Sequence, residues 1–329
     1  MGCHRRRYHR AGDQRRHELT RVTDAGTEGR PENIRAVPVR HPGRWVAMAV
    51  IAVLAAMFVH MLFTNTNLNW PIVRKYLFSE IILRGVWMTI KLTILSMAIG
   101  IILGSIAAVM RLSPNPVVSS VAWLYVWFFR GTPLLVQIIF WFAISQFIKA
   151  VSLGVPFGPH FWSEDTNKLI SLFTSALLAL SLNEGAYMSE IVRAGILSVD
   201  EGQSEAAAAL GMRRLQVMRR VVLPQAMRVI VPPTGNEINN MLKSSSLVST
   251  IGIFELLRSA QAIYNSNYKT IPLLIVAIIW YLALTSVLQV GQFYIERYYG
   301  RGSSRTISLT PLQRAKNALA VGSNRAGTR

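Results

Sequence analysis

The sequence predicts an all-α integral membrane protein, and three observations carry the prediction. Apolar residues make up 51% of the chain against 16% charged, and the mean hydropathy is +0.33. The apolar residues come in long runs, where a helical crossing needs only about 20. The net charge of +19 is piled at the two ends and in one internal polar stretch, leaving the long runs nearly uncharged. That distribution argues against a nucleic-acid partner. A lone Cys3 excludes an intrachain disulfide framework.

Residues 1–43 are Arg-rich and irregular, without an apolar periodic face, and are expected to be a disordered basic tail. A solvated, orienting tail is the first reading; an arm for RNA or anionic lipid is the competing one. The segment is not a cleavable signal peptide, because its apolar run begins too far in. Residues 44–64 form the first predicted span. The next covers 86–110, where Lys91 lies near the start and can snorkel to the interface. Spans at 120–148, 169–188 and 271–295 follow, the first of these in spite of Arg130. Residues 297–329 are a second basic tail.

Between the spans lies SVDEGQSEAAAALGMRRLQVMRRVVLP, residues 198–224. Ser198 followed by Glu201 is a capping-box signature. Asp200 and Glu201 put negative charge on a first helical turn, where the dipole favours it. Ala206 to Ala209 are strong helix formers. Gly211 supplies a turn with positive φ. A second short helix is expected to carry Leu215, Met218 and Val222 on one face, with Arg213, Arg214, Arg219 and Arg220 clustered along it and Pro224 ending it. Two short helices at a bend make a protruding knuckle.

Residues 226–250 are too polar to pass as a span by hydropathy. Orientation includes them. Eleven Arg in residues 1–44 and seven basic residues after Glu296 put both tails inside by the positive-inside bias. Two inside ends need an even number of crossings, so a sixth is required. The Arg-rich knuckle must also be inside, which places the added crossing after it. Buried Asn and Lys in hydrocarbon cost several kcal/mol unless paired or wet, so this crossing lines a cavity or the bundle interior. Pro232 and Pro233 remove two backbone donors and are expected to break it. A polar broken helix is how transporters build sites.

Several segments resemble one known family. Glu205-Ala206-Ala207, then Gly211, then Val221-x-Leu223-Pro224 resembles the EAA loop of ABC-importer permeases. Phe129-Arg130-Gly131-Thr132-Pro133, Asn183-Glu184-Gly185-Ala186-Tyr187 and Asn236-Glu237 followed by Leu242-Lys243 are similar to the permeases of polar amino-acid importers in particular. Val221 stands where the family has Ile, and Ser244-Ser245-Ser246 where it often has Asp-Thr-Ser. The resemblance spans about Leu83 to Gln292. It implies a type I permease core of five spans within residues 80–296, preceded by an extra amino-terminal span. It also implies that the knuckle is a coupling helix, with Glu205, Ala206, Ala207 and Gly211 docking on a separate ATPase dimer that binds ATP and Mg. A solute-binding protein, a second permease chain, membrane lipid and a polar amino acid complete the expected partners, in a bacterial inner membrane. A permease of another branch, for methionine or an osmolyte, is the alternative.

No GxxxxGK loop is present, so no nucleotide site is expected in this chain, and no enzyme activity. The six His show no metal-ligand spacing, and neither a GxSxG elbow nor a carboxylate pair argues for a hydrolase. What remains is charge and polarity at membrane depth. Asn183, Glu184, Asn236, Glu237 and Lys243 are the expected substrate path. Lys243 suits a substrate carboxylate, and Glu184 or Asn183 its ammonium group. The competing reading makes Glu184, Arg193 and Lys243 interhelical pairs. Pro133 restricts Thr132 to extended backbone, so the chain bends there. Arg130 beside it either gates or snorkels to headgroups.

Overall fold

The computed structural model describes residues 42–155 and 160–299. Nearly all of both basic tails therefore lies outside the described residues. Among these residues the chain is almost wholly helical, and it divides into two units at Thr64.

The first unit contributes one described helix, α1 (Pro42–Thr64). From Trp45 to Thr64 it is strongly apolar and none of its side chains is buried, the pattern of a helix that meets lipid.

The second unit opens with a short helix, α2 (Trp70–Tyr76), and then α3 (Glu80–Arg111). At 32 residues α3 is about 48 Å long and can cross a bilayer with tilt to spare. α4 (Pro116–Gly131) and α5 (Leu134–Phe147) follow, bent by 107° at Thr132–Pro133. Thr132 is extended (φ −110°, ψ 144°), as a residue before proline must be. The expected 120–148 span is a sharply bent pair, with the bend at the Thr132–Pro133 step that the sequence marked. Gln137 makes the corner tenable. Its Nε2 reaches Phe129 O at 2.9 Å and the carbonyl and hydroxyl of Thr132 at 3.1 and 2.7 Å, so carbonyls freed by the bend are not left bare.

A β-hairpin that the sequence did not suggest comes next, β1 (Ala150–Gly154) pairing antiparallel with β2 (His160–Asp165). A single turn, α6 (Thr166–Leu169), leads to α7 (Leu172–Leu197), whose start is capped by Ser171 accepting from Thr174 N. α3 and α7 share the most extensive helix–helix seam among the described residues. Gly100 and Gly104 of α3 lie directly on Glu184, Gly185, Met188 and Ser189 of α7. Small residues four apart let two backbones close, which is the main source of helix association in lipid.

The knuckle begins with α8 (Glu201–Ala209), and its cap differs from expectation. Asp200 accepts from Gly202 N at 2.9 Å, while Ser198 turns back to donate to Gly195 O at 2.7 Å. Ser198 thus closes α7. Gly211 takes φ +79°, the left-handed turn expected of it. α9 (Arg214–Val217) passes through a π turn (Met218–Val222) into α10 (Leu223–Ser244). Pro224 sits in the first turn of α10, where its missing N–H costs nothing, and so does not end the second helix. The inward face of the knuckle is Ala207, Val217 and Val222; Leu215 and Met218 point outward. The π turn re-phases the helix, which is why the simple helical period misassigned that face.

Pro232 and Pro233 lie inside α10 without interrupting it. The expected break is absent there. Thr234 Oγ1 donates to Ile230 O at 2.7 Å, and Gln292 Nε2 approaches Pro232 O at 3.4 Å. The helix gives way later, at a 3-10 segment (Ser245–Ile251) that stops at Gly252 with φ +97°. An amphipathic helix α11 (Leu256–Asn267), also unforeseen, and the long α12 (Thr270–Tyr299) complete the fold. α12 carries the helix through residues 297–299, which the sequence had given to the tail. Among the described residues α1, α3 and α12 are each long and apolar enough to cross a membrane, and the bent α4–α5 pair is so if its two halves count as one span. α7 and α10 are long, but Asn, Glu, Arg and Lys interrupt their apolar residues.

Candidate functional site: a polar cavity between α7 and α10

A cavity of about 500 Å³ lies where α7, α10 and the α4–α5 corner meet. Asn183 and Glu184 line it from α7, Glu237 and Lys243 from α10. Four of the five expected path residues are therefore brought together. The fifth is not: Asn236 is one residue, or about 100°, round the helix from Glu237 and accepts a hydrogen bond from Gln292 of α12 at 3.1 Å. Asn239 joins the same knot, donating to Gln292 Oε1 at 3.0 Å. Asn240 and Tyr187, which were not in the expected set, also line the cavity.

Each wall is held differently. Asn183 is buried, and its Nδ2 donates to Phe129 O at 2.9 Å and to Gln137 Oε1 at 3.3 Å. It ties α7 to the corner that Pro133 creates, and Pro133 itself caps α5. Tyr125 adds a second tie, its OH donating to Leu182 O at 2.7 Å. Glu184 is 97% buried (3% exposed) against Gly100, and its Oε1 has no hydrogen-bond partner. A buried carboxylate oxygen without a donor carries a cost of about 1–3 kcal/mol or more, which a cationic ligand would remove. Lys243 is exposed to the cavity. Neither Glu184 nor Lys243 makes an ion pair among the described residues, whereas Arg193 pairs with Glu190 at 2.7 Å. The interhelical-pair reading therefore fits none of the three: the Arg193 pair lies within α7, and the pair that crosses helices is Arg111 of α3 with Glu190, at 3.5 Å. Arg130 lies with its guanidinium 5.2 Å from the centre of the Tyr187 ring. No group of three His, Cys, Asp or Glu among the described residues is placed to hold a metal.

At the knuckle, Glu205, Ala206 and Gly211 are exposed, and Ala207 is buried in the small core beneath. The outward surface also presents Leu210 (84% exposed) and Leu215 (78%) on either side of Gly211. The sequence did carry this signal, as a leucine on either side of Gly211, but helical phasing turned Leu215 inward.

Residues 100–300 match the family described as the binding-protein-dependent transport system inner membrane component. The chain belongs to that family. It is thus an inner-membrane component of a binding-protein-dependent transport system, with the type I ABC permease fold. It is 48% identical over 284 residues to the arginine transport system permease protein ArgU of Corynebacterium glutamicum, covering 86% of this chain and 88% of that one. It is 39% identical over 238 residues to the L-cystine transport system permease protein TcyB of Bacillus subtilis, covering 72% and 94%. A solved structure described as an amino acid ABC transporter with histidines superposes with a TM-score of 0.57 at 35% identity, covering 66% of this permease and 94% of that chain.

Proposed function

We propose that this permease is the membrane-spanning subunit of an ATP-driven importer for a polar amino acid. One observation carries the reading from the geometry: a cavity between α7 and α10 with an unpartnered buried carboxylate, Glu184, and an unpaired ammonium, Lys243. A zwitterion needs such a pair. Glu237 adds a second carboxylate, so the lining suits an amino acid with an additional positive charge, in keeping with the arginine system to which the chain is similar.

In this reading the chain crosses six times, by α1, α3, the bent α4–α5 pair, α7, α10 and α12, with both basic tails in the cytoplasm. α1 is an extra span before a five-span core. The knuckle docks on a separate ATPase dimer through Glu205, Ala206 and Gly211, with Leu210 and Leu215 as apolar anchors and Ala207 supporting them from beneath. ATP and Mg belong to that partner, and this chain holds no cofactor. A solute-binding protein delivers the amino acid outside, and a second permease chain, identical or not, closes the path. Asn183 and Pro133 shape the cavity, Pro232 and Pro233 lie in α10 about one turn before its lining, Asn236 joins the α10–α12 knot, and Arg130 gates.

The test is uptake of radiolabelled arginine, histidine, glutamine and glutamate into vesicles holding the assembled transporter. Arginine should be accumulated in preference to glutamate. Transport of none of the four, with ATPase activity intact, refutes the reading.

A further inference from the structure

Past Tyr187, on the side that leads toward the knuckle, a second polar groove of about 420 Å³ runs between α4 and α7. Tyr187 is a shared wall, lining both this groove and the cavity. The charged groups of the groove are Arg130, Arg111 and Glu190. Arg111 also lines an adjoining recess of about 360 Å³, which adds Arg193. Glu190 is already committed. Its Oε2 accepts from Arg193 Nε and Nη2 at 3.0 and 2.7 Å, and Arg111 Nη2 lies 3.5 Å from its Oε1. Arg130 pairs with no carboxylate among the described residues. Two guanidiniums thus share one carboxylate and a third has none, leaving a surplus of two positive charges beside an apolar bundle. Such a surplus attracts an anion, and guanidinium is the side chain best shaped to take a carboxylate in two parallel bonds.

We propose that Arg130, with Arg111 behind it, is a second carboxylate-receiving station for the transported amino acid. The proposal rests on the amino-acid permease reading. The carboxylate, held first at Lys243, passes Tyr187 and is taken up by Arg130 before it reaches water. Charge is never moved through the bundle without a cation beside it, which lowers the barrier to release. The stack on Tyr187 holds the Arg130 guanidinium at the boundary between the two spaces. An anionic lipid headgroup is the rival occupant, and the test separates it.

The transporter, assembled with its ATPase and binding protein, is placed in vesicles of phosphatidylcholine alone and of phosphatidylcholine with phosphatidylglycerol. Arg130→Gln should lower maximal uptake about tenfold or more, the loss that one charge-assisted hydrogen bond carries. The half-saturating concentration should stay within about twofold, because loading occurs upstream. ATPase stimulation by loaded binding protein should persist, and Arg130→Lys should recover most of the uptake. A parallel fall in uptake and ATPase stimulation would mark Arg130 as structural and overturn the proposal. So would a dependence of the wild type on phosphatidylglycerol that Arg130→Gln abolishes, which identifies a lipid site. Wild type that moves no amino acid in either vesicle refutes the permease reading itself, and is told apart by being independent of the mutation. Should Arg130→Gln not assemble, Gly131→Cys in a Cys3→Ser background decides instead, since a side chain at Gly131 meets nothing within 4 Å. Labelling of the introduced thiol by an anionic thiosulfonate should slow several-fold under turnover with saturating substrate, and unslowed labelling overturns the proposal.

Discussion

Adding one methyl group at Gly104 should loosen the whole bundle. A Cβ built there falls 2.5 Å from Met188 Cβ, 2.8 Å from Gly185 O and 2.9 Å from Ser189 N. Non-bonded carbon contacts prefer about 3.5–4.0 Å, so α3 and α7 must part by about 1 Å. Two of the three neighbours are backbone atoms, so no rotamer change relieves the clash. Overpacking of this kind costs about 1–3 kcal/mol. For a chain of this size that corresponds to a melting temperature lower by about 2–12 °C. The assay is thermal unfolding of the detergent-purified chain, with Gly291→Ala as the contrast. Gly291 lies in α12 with nothing within 4 Å of the added Cβ. There alanine should be neutral or stabilising by up to about 1 kcal/mol, because helical glycine is the poorer residue. If Gly104→Ala and Gly291→Ala melt together with wild type, the α3–α7 seam is not packed at this spacing.

Three further outcomes follow from the same geometry. Glu184→Gln should cut uptake by about tenfold or more while leaving the melting temperature unchanged or raised, since the carboxyl oxygen it replaces has no hydrogen-bond partner among the described residues; unimpaired uptake would remove Glu184 from the path. Glu205→Lys should abolish stimulation of the partner ATPase with normal membrane insertion, checked by hydrolysis assays and by the amount of chain in the membrane fraction. Gly211→Val should lower coupling and cost about 1–2 kcal/mol, because φ +79° strains a β-branched residue; an ATPase response equal to wild type would show that the turn can be rebuilt.

Much of this was legible in the chain itself, for physical reasons that differ from place to place. Helices that face lipid declare themselves, so α1, α3 and α12 stand close to the runs that announce them. Thr132–Pro133 foretold a bend by local sterics, but its sharpness depends on Gln137, which acts on carbonyls five and eight residues away. Pro232–Pro233 is the converse case: the local rule called for a break, and the helix runs on to Ser244. Ser198 and Asp200 are both good caps, and only the end of α7 decides between them. The cavity residues were readable as polarity out of place. Which of Asn236 and Glu237 turns inward depends on the phase of α10, set by the π turn upstream. The hairpin and α11 carry weak local patterns and take their shape from the bundle around them.

That π turn has a mechanical consequence. Helical backbone runs without interruption from Arg214 to Ser244, so knuckle and cavity wall belong to one continuous helical segment. The Gln292 knot grips this segment around Gly235 to Asn239 and serves as its fulcrum. The arm from the knuckle to the fulcrum is about 35 Å and that from the fulcrum to Lys243 about 9 Å, at 1.5 Å per residue. If the segment turns as one body about this knot, a lateral push of about 4 Å at the knuckle would reach Lys243 as about 1 Å in the opposite direction, enough to lengthen a hydrogen bond past its useful range.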